Sequence, residues 1–156
     1  MKQPPSESSD RAGMCRKLRS LGITPTAQRI TIASLLLAKP QHLTADQVLA
    51  LANAGGRFVS KATVYNTLGL FARRGLVREL AIACERAFYD TNTAPHGHYY
   101  DPETRQLSDF ADDELQRRLP QKLPPGKQID RIDVIVYLRN LWLIHRHKET
   151  RAEAFE

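Results

Sequence analysis

Between Arg11 and Gly75 the apolar residues return every three or four positions in four short bursts, each closed by glycine or proline. A chain punctuated in this way builds several short helices, not one long one. In the first burst Met14, Leu18 and Leu21 lie among Arg16, Lys17 and Arg19, and Gly22 stops the segment. The second places Ile30, Ala33, Leu36 and Leu37 on one stripe behind Thr26, a candidate N-cap, and Pro40 ends it. The third opens with Thr44 and Gln47 at capping-box spacing, continues through Val48, Leu49 and Ala52, and closes at Gly55-Gly56. The fourth is capped by Ser60, turns Val64, Leu68 and Phe71 toward a core, and stops at Gly75.

After the fourth burst the period changes to two. VRELAIA and AFYD, around Cys84, Glu85 and Arg86, read as a hairpin. Helix, turn, helix and hairpin together predict a winged helix, whose second paired helix enters the DNA major groove. The outward residues of that helix are read as Lys61, Thr63, Tyr65, Asn66 and Thr67, a mixture suited to base edges and phosphates. Charge agrees with this reading. Residues 1–90 carry 13 Lys and Arg against 6 Asp and Glu, a net +7, whereas residues 91–156 carry 10 against 11. A positive excess confined to the first part is the footprint of a polyanion partner.

The stretch Ala87–Phe110 holds Asp90, His96, His98 and Asp109. In extended backbone His96 and His98 point to the same side, so two imidazoles and two carboxylates can converge on one cation. A thiolate-free set of this kind suits iron(II), manganese(II) or zinc. The plainer alternative is a solvated polar linker. Beyond it, RQLSDF reads as a short strand, ADDELQRRLPQKL as a helix opened by acids, and DRIDVIVYLRNLWLI as a long strand. So few elements make a poor core alone, and pairing with a second copy is the simplest remedy. His145 and His147 fall in a charged tail read as disordered, as are residues 1–10.

The chain of 156 residues, 42% hydrophobic, suits one domain or two small ones. It contains no apolar run long enough for a membrane span, and its start lacks a signal-peptide core, so the expected location is cytoplasmic. Cys15 and Cys84 form no Cys-x-x-Cys pair, which fits a reducing compartment.

Three separated motifs, Pro25-Thr26-Ala27-Gln28-Arg29, Ala62-Thr63-Val64-Tyr65-Asn66-Thr67-Leu68 and Asp90…His96-x-His98, together resemble the ferric uptake regulator (Fur) superfamily of bacterial metal-dependent repressors, over about residues 12–140. Tyr-Asp-Thr-Asn before the histidines, Tyr99-Tyr100 after them and Arg131–Val136 look most like the iron response regulator (Irr) branch. Asp90 and Asp109 resemble the carboxylates of the peroxide-responsive repressors (PerR). The resemblance implies an α+β protein: a winged-helix DNA-binding domain (11–90), a hinge (91–104), a small α/β dimerisation domain (105–143) and a tail (144–156). It implies a homodimer on double-stranded operator DNA and a divalent ion held between the domains by His42, Asp90, His96, His98 and Asp109.

The same likeness assigns Tyr65 to a thymine methyl or base edge, Arg29, Lys61 and Thr63 to phosphates, and Arg16, Lys17 or Arg19 to the backbone or minor groove. Two departures stand out. Tyr99-Tyr100-Asp101-Pro102-Glu103 replaces the cysteine pair that holds structural zinc in many members. The Irr-like run of three histidines is His96-Gly97-His98 here, and Cys15 is followed by Arg16 where a haem motif has proline. A haem-responsive regulator active at low iron is the alternative within the family. Outside it stand a metallohydrolase using His96, His98 and Asp90, and a metal-independent winged-helix interaction module.

Overall fold

The computed structural model describes residues 7–56, 58–82, 86–111 and 123–139. The chain divides into two compact units, residues 1–94 and 95–156. The first contains α1 (Glu7–Ser20), α2 (Ala27–Leu36), β1 (His42–Thr44), α3 (Ala45–Ala54), α4 (Lys61–Arg73), β2 (Arg78–Ile82) and β3 (Arg86–Asp90). Its sheet has the order β1-β3-β2, antiparallel throughout. The second contains β4 (Gly97–Asp101), β5 (Gln106–Phe110) and β6 (Val134–Tyr137), ordered β5-β4-β6, with β4 antiparallel to β5 and parallel to β6.

Local chemistry accounts for the helix ends. The Thr26 hydroxyl accepts the Arg29 N–H at 3.3 Å, and Ser60 Oγ accepts that of Thr63 at 3.1 Å. Thr44 and Gln47 form the reciprocal capping box, the Gln47 carbonyl accepting the Thr44 N–H at 2.8 Å. At the far ends, Gly22 and Gly75 take φ of 67° and 72°, where a side chain would be strained. Ile23 N–H then reaches the Leu18 carbonyl, and Leu76 N–H that of Phe71. In each case the residue after the glycine is buried with the core, the hydrophobic closure of a Schellman motif.

Leu18, Ile32, Ala33, Leu36, Val48, Val64, Leu68 and Phe71 are completely buried, so all four helices feed one core in the first unit. Ile32 joins the expected α2 stripe, whereas Leu37 is the C-cap and only half-buried. The wing follows as β2 and β3, whose Leu80 and Phe88 face each other across the ladder and are buried.

Several expectations change. The helix read from Arg11 begins at Glu7, so 7–10 belong to α1 and not to a disordered end; the acid Asp10 suits the first turn of a helix. The turn around His42 is a three-residue strand, β1, too short to show a period. The stretch read as a hinge, 91–104, contains β4, because the alternation of Gly97–Asp101 finds a partner on either side. The long strand expected near the C-terminus is β6 alone within the described residues, since 130–133 are not strand. Thr67, read as outward, is 5% exposed: it sits between Val64 and Phe71 on the packed side of α4. The acid-opened helix apart from its two end residues, the loop residues Cys84 and Glu85, and the tail with His145 and His147 lie outside the described residues. Among the described residues no helix is long and apolar enough to cross a membrane.

Phe71→Ala should cost about 3–5 kcal/mol of unfolding free energy. Thr44→Ala should cost about 1 kcal/mol. Urea unfolding of the full chain followed by circular dichroism measures both. A cap loss as large as the core loss would contradict this ranking.

Candidate functional site

In the first unit, β1 pairs with β3 so that His42 stands directly opposite Asp90. Opposed residues project to the same face, and His42 Nε2 lies 3.6 Å from Asp90 Oδ1. The pair is held from both sides. One residue before His42, Gln41 N–H donates to Thr91 Oγ1 at 3.1 Å, the Thr91 N–H donates to the Gln41 carbonyl at 3.3 Å, and Gln41 Nε2 donates to the Leu35 and Leu36 carbonyls at the end of α2. Two residues after it stands the Thr44 capping box. Asp90 is 1% exposed, and its Oδ1 accepts the Asn92 N–H at 2.8 Å, which fixes the carboxylate. Next to it, burial pushes the Tyr89 phenol above its ordinary range, helped by the charge of Glu79 and by Tyr65.

In the second unit the same device recurs. His98 on β4 opposes Asp109 on β5, and His96, just before the strand, lies beside both. Asp109 Oδ1 lies 3.3 Å from His96 Nε2 and 3.7 Å from His98 Nε2, and the two rings are 4.4 Å apart. His98 is fully buried, whereas Asp109 is 37% exposed. The β4–β5 turn is tied by Asp101, whose Oδ1 accepts the Glu103 N–H at 2.9 Å; that bond, with help from Thr104, holds its carboxyl below the usual range. Arg105 closes the turn at φ 56°.

These distances fit coordination better than hydrogen bonding. Ligands about 2.1 Å from an ion, at angles of about 90–125°, lie roughly 3.0–3.7 Å from one another. Hydrogen bonds between nitrogen and oxygen are shorter, about 2.7–3.2 Å. The donors present, imidazole nitrogen and carboxylate oxygen, are those that iron(II), manganese(II) and zinc accept. Each unit thus supplies part of the predicted ligand set: His42 and Asp90 in one, His96, His98 and Asp109 in the other.

The outer face of α4 carries exposed Lys61, Tyr65 and Asn66. Thr63 is half-buried, its hydroxyl bonded to Ser60 Oγ at 2.9 Å, and so supports the cap. Arg29 is also half-buried, donating to the Thr24 carbonyl at 2.9 Å, while Arg16, Lys17 and Arg19 are exposed on α1. Sequence reasoning missed Asp46. Its Oδ1 lies 3.5 Å from Lys61 Nζ and accepts the Tyr65 hydroxyl at 3.4 Å. An acid in the first turn of a helix is explained locally by the macrodipole, so nothing in the sequence singled it out.

The profile of the Ferric uptake regulator family matches residues 20–137, about three quarters of the chain. The chain belongs to that family. The peroxide-responsive repressor PerR of Staphylococcus aureus (strain Mu50) is 33% identical over 93 residues, which cover 60% of this chain and 63% of that protein, less than two thirds of its length. A solved ferric uptake regulator from Pseudomonas aeruginosa, described with manganese, superposes with a TM-score of 0.67 at 26% identity, covering 81% of this chain and 96% of that one. The Vibrio cholerae ferric uptake regulator shares the fold, with a TM-score of 0.67 at 23% identity over 81% and 98% of the two chains.

Against the family background, Gly97 between the two histidines has a structural reason. It opposes Phe110 in the ladder, and a Cβ built there would lie 2.6 and 2.8 Å from Cε1 and Cε2 of the Phe110 ring and closer still to Cζ. The ring, 4.5 Å from that of Tyr99, occupies the place a side chain would take. Gly97→Ala should therefore destabilise the second unit, and in a Phe110→Ala background the same change should cost much less. Thermal unfolding of the four proteins in a double-mutant cycle checks this; additive losses would show that the ring does not exclude the side chain.

Proposed function

We propose that this member of the ferric uptake regulator family is a metal-responsive transcriptional repressor of iron-homeostasis or peroxide-stress genes, acting on operator DNA as a homodimer in the cytoplasm. The observation that carries the reading is the placement of donors at the join. Asp90 ends the last strand of one unit, and His96 immediately precedes the first strand of the next. Six residue steps between them form a tether of at most about 20 Å, short enough to allow both donor sets to meet at one ion.

In that reading His42, Asp90, His96, His98 and Asp109 together hold the cation, which supplies positive charge to the buried Asp90 and the exposed Asp109 carboxylates and ties the units. Three imidazoles and two carboxylates favour iron(II) or manganese(II), with zinc acceptable. The manganese of the Pseudomonas relative supports the choice. A cation bound more tightly by one arrangement of the units shifts the population toward it, up to its differential affinity. In a dimer this would set the spacing of the two recognition helices, which must match the half-sites.

Contact with DNA falls to α4, with Tyr65 and Asn66 on base edges and Arg29, Lys61 and Thr63 on or beside phosphates. Arg16, Lys17 and Arg19 of α1 follow the backbone or minor groove. The net charge of +7 over residues 1–90 supports this assignment. For the second copy, the second unit offers exposed Tyr99, Val136, Tyr137 and Leu138. The role is binding and regulation, not hydrolysis: the relatives are repressors and uptake regulators.

Fluorescence anisotropy with a promoter duplex, with and without manganese(II) or iron(II), tests the proposal directly. DNA affinity should depend on the metal, and His42→Ala and His98→Ala should each weaken manganese binding by about tenfold or more in calorimetry. Metal-independent DNA binding together with unchanged calorimetric affinity in both variants would refute it. The likeness to a peroxide-responsive repressor adds a second expectation. Iron(II)-loaded protein treated with peroxide should gain oxygen at His42 or His96, read by peptide mass spectrometry; unmodified histidines would remove peroxide sensing from the proposal.

A further inference from the structure

Lys61 and Tyr65 lie one turn apart on the outer face of α4, and both engage the same oxygen of Asp46 in the first turn of α3. The ammonium is 3.5 Å from Oδ1, the phenol donates to it at 3.4 Å, and the ammonium also lies 5.5 Å from the centroid of the Tyr65 ring. All three groups are exposed, Lys61 and Asp46 at 66% and 53% of their side-chain surface; the helix dipole favours an acid at the start of α3, and its carboxylate meets Lys61 and Tyr65 in reach of solvent.

We propose that Asp46 is a specificity-determining residue for DNA, acting by position. Its carboxylate stands where a phosphate oxygen would otherwise meet Lys61, and it lies beside the hydroxyl end of Tyr65, a weak contact that biases where that hydroxyl points. The inference rests on the DNA-binding reading given above and extends it. Binding to an arbitrary duplex is almost entirely phosphate electrostatics. Such a duplex must compete with Asp46 for Lys61 and is repelled by its charge. At the proper operator, base contacts by an already oriented Tyr65 offset that penalty, because base edges carry the sequence information and phosphates do not. An exposed ion pair is weak, so a matching site can open it. Asp46 thereby lowers affinity for wrong sites more than for the right one.

The test uses the full-length chain loaded with manganese(II), titrated with a promoter duplex and a scrambled duplex between about 50 and 200 mM salt. Asp46→Asn keeps the size and an acceptor for the Tyr65 hydroxyl while removing the charge. It should raise affinity for the scrambled duplex roughly two- to fivefold. It should also steepen the salt slope by up to about one ion. Promoter affinity should change less, so the ratio of the two falls. In a Lys61→Ala background the gain should be much smaller, keeping only the part due to relief of direct phosphate repulsion, whereas a general increase in net charge would leave it unchanged. Tyr65→Phe should lower the ratio without altering the slope. Equal gains on both duplexes, or a gain undiminished without Lys61, would overturn the role of Asp46. Failure of the wild-type protein to bind the promoter in any salt-dependent manner would instead overturn the DNA reading, and this inference with it.

Discussion

Opposed positions in an antiparallel ladder project side chains to one face about 5 Å apart, and both candidate donor sets depend on that geometry. His42 faces Asp90 across β1 and β3; His98 faces Asp109 across β4 and β5. A slip of one residue in either ladder would send an imidazole to the opposite side from its carboxylate. The register is accordingly pinned at both places. The Gln41–Thr91 hydrogen bonds and the Thr44 capping box bracket β1, while the Asp101 turn and the Phe110 ring over Gly97 bracket the β4–β5 ladder.

Such sites are not where the stability resides. A buried carboxylate and buried imidazoles cost free energy until a proton or cation compensates them. The helical core of the first unit carries the fold instead, with Leu18, Ile32, Leu36, Val48, Val64, Leu68 and Phe71 fully removed from water. Because these residues come from all four helices, α4 is held from behind along its length, and its outer face is left to chemistry. The second unit has a leaner described interior and exposes Tyr99, Val136, Tyr137 and Leu138, consistent with the proposed second copy.

Helix α4 shows how one element serves both demands. Val64, Thr67, Leu68 and Phe71 take the packed side; Lys61, Tyr65 and Asn66 take the other. Tyr65 is exposed, with its hydroxyl 3.4 Å from Asp46 of the neighbouring helix. If α4 reads DNA as proposed, an acid beside Lys61 and Tyr65 would trade raw affinity for discrimination, and the packing of α3 against α4 is what puts it there.

Much of this was legible in the residues themselves. The caps at Thr26, Thr44 and Ser60, the glycine stops at positions 22 and 75, the stripe of Val64, Leu68 and Phe71, and the period-two wing are local signals, set by hydrogen bonds and spacings within a few residues. The two-residue spacing of His96 and His98 likewise placed both on one side. Strand β1, the inward turn of Thr67, the strand within the expected hinge, the hold of Asp46 on Lys61 and Tyr65, and the ring over Gly97 were not legible. Each is decided by a partner distant in the chain: 48 positions separate His42 from Asp90 and 19 separate Asp46 from Tyr65. Local propensity cannot choose among such partners, because only the packed chain fixes which strands and helix faces meet.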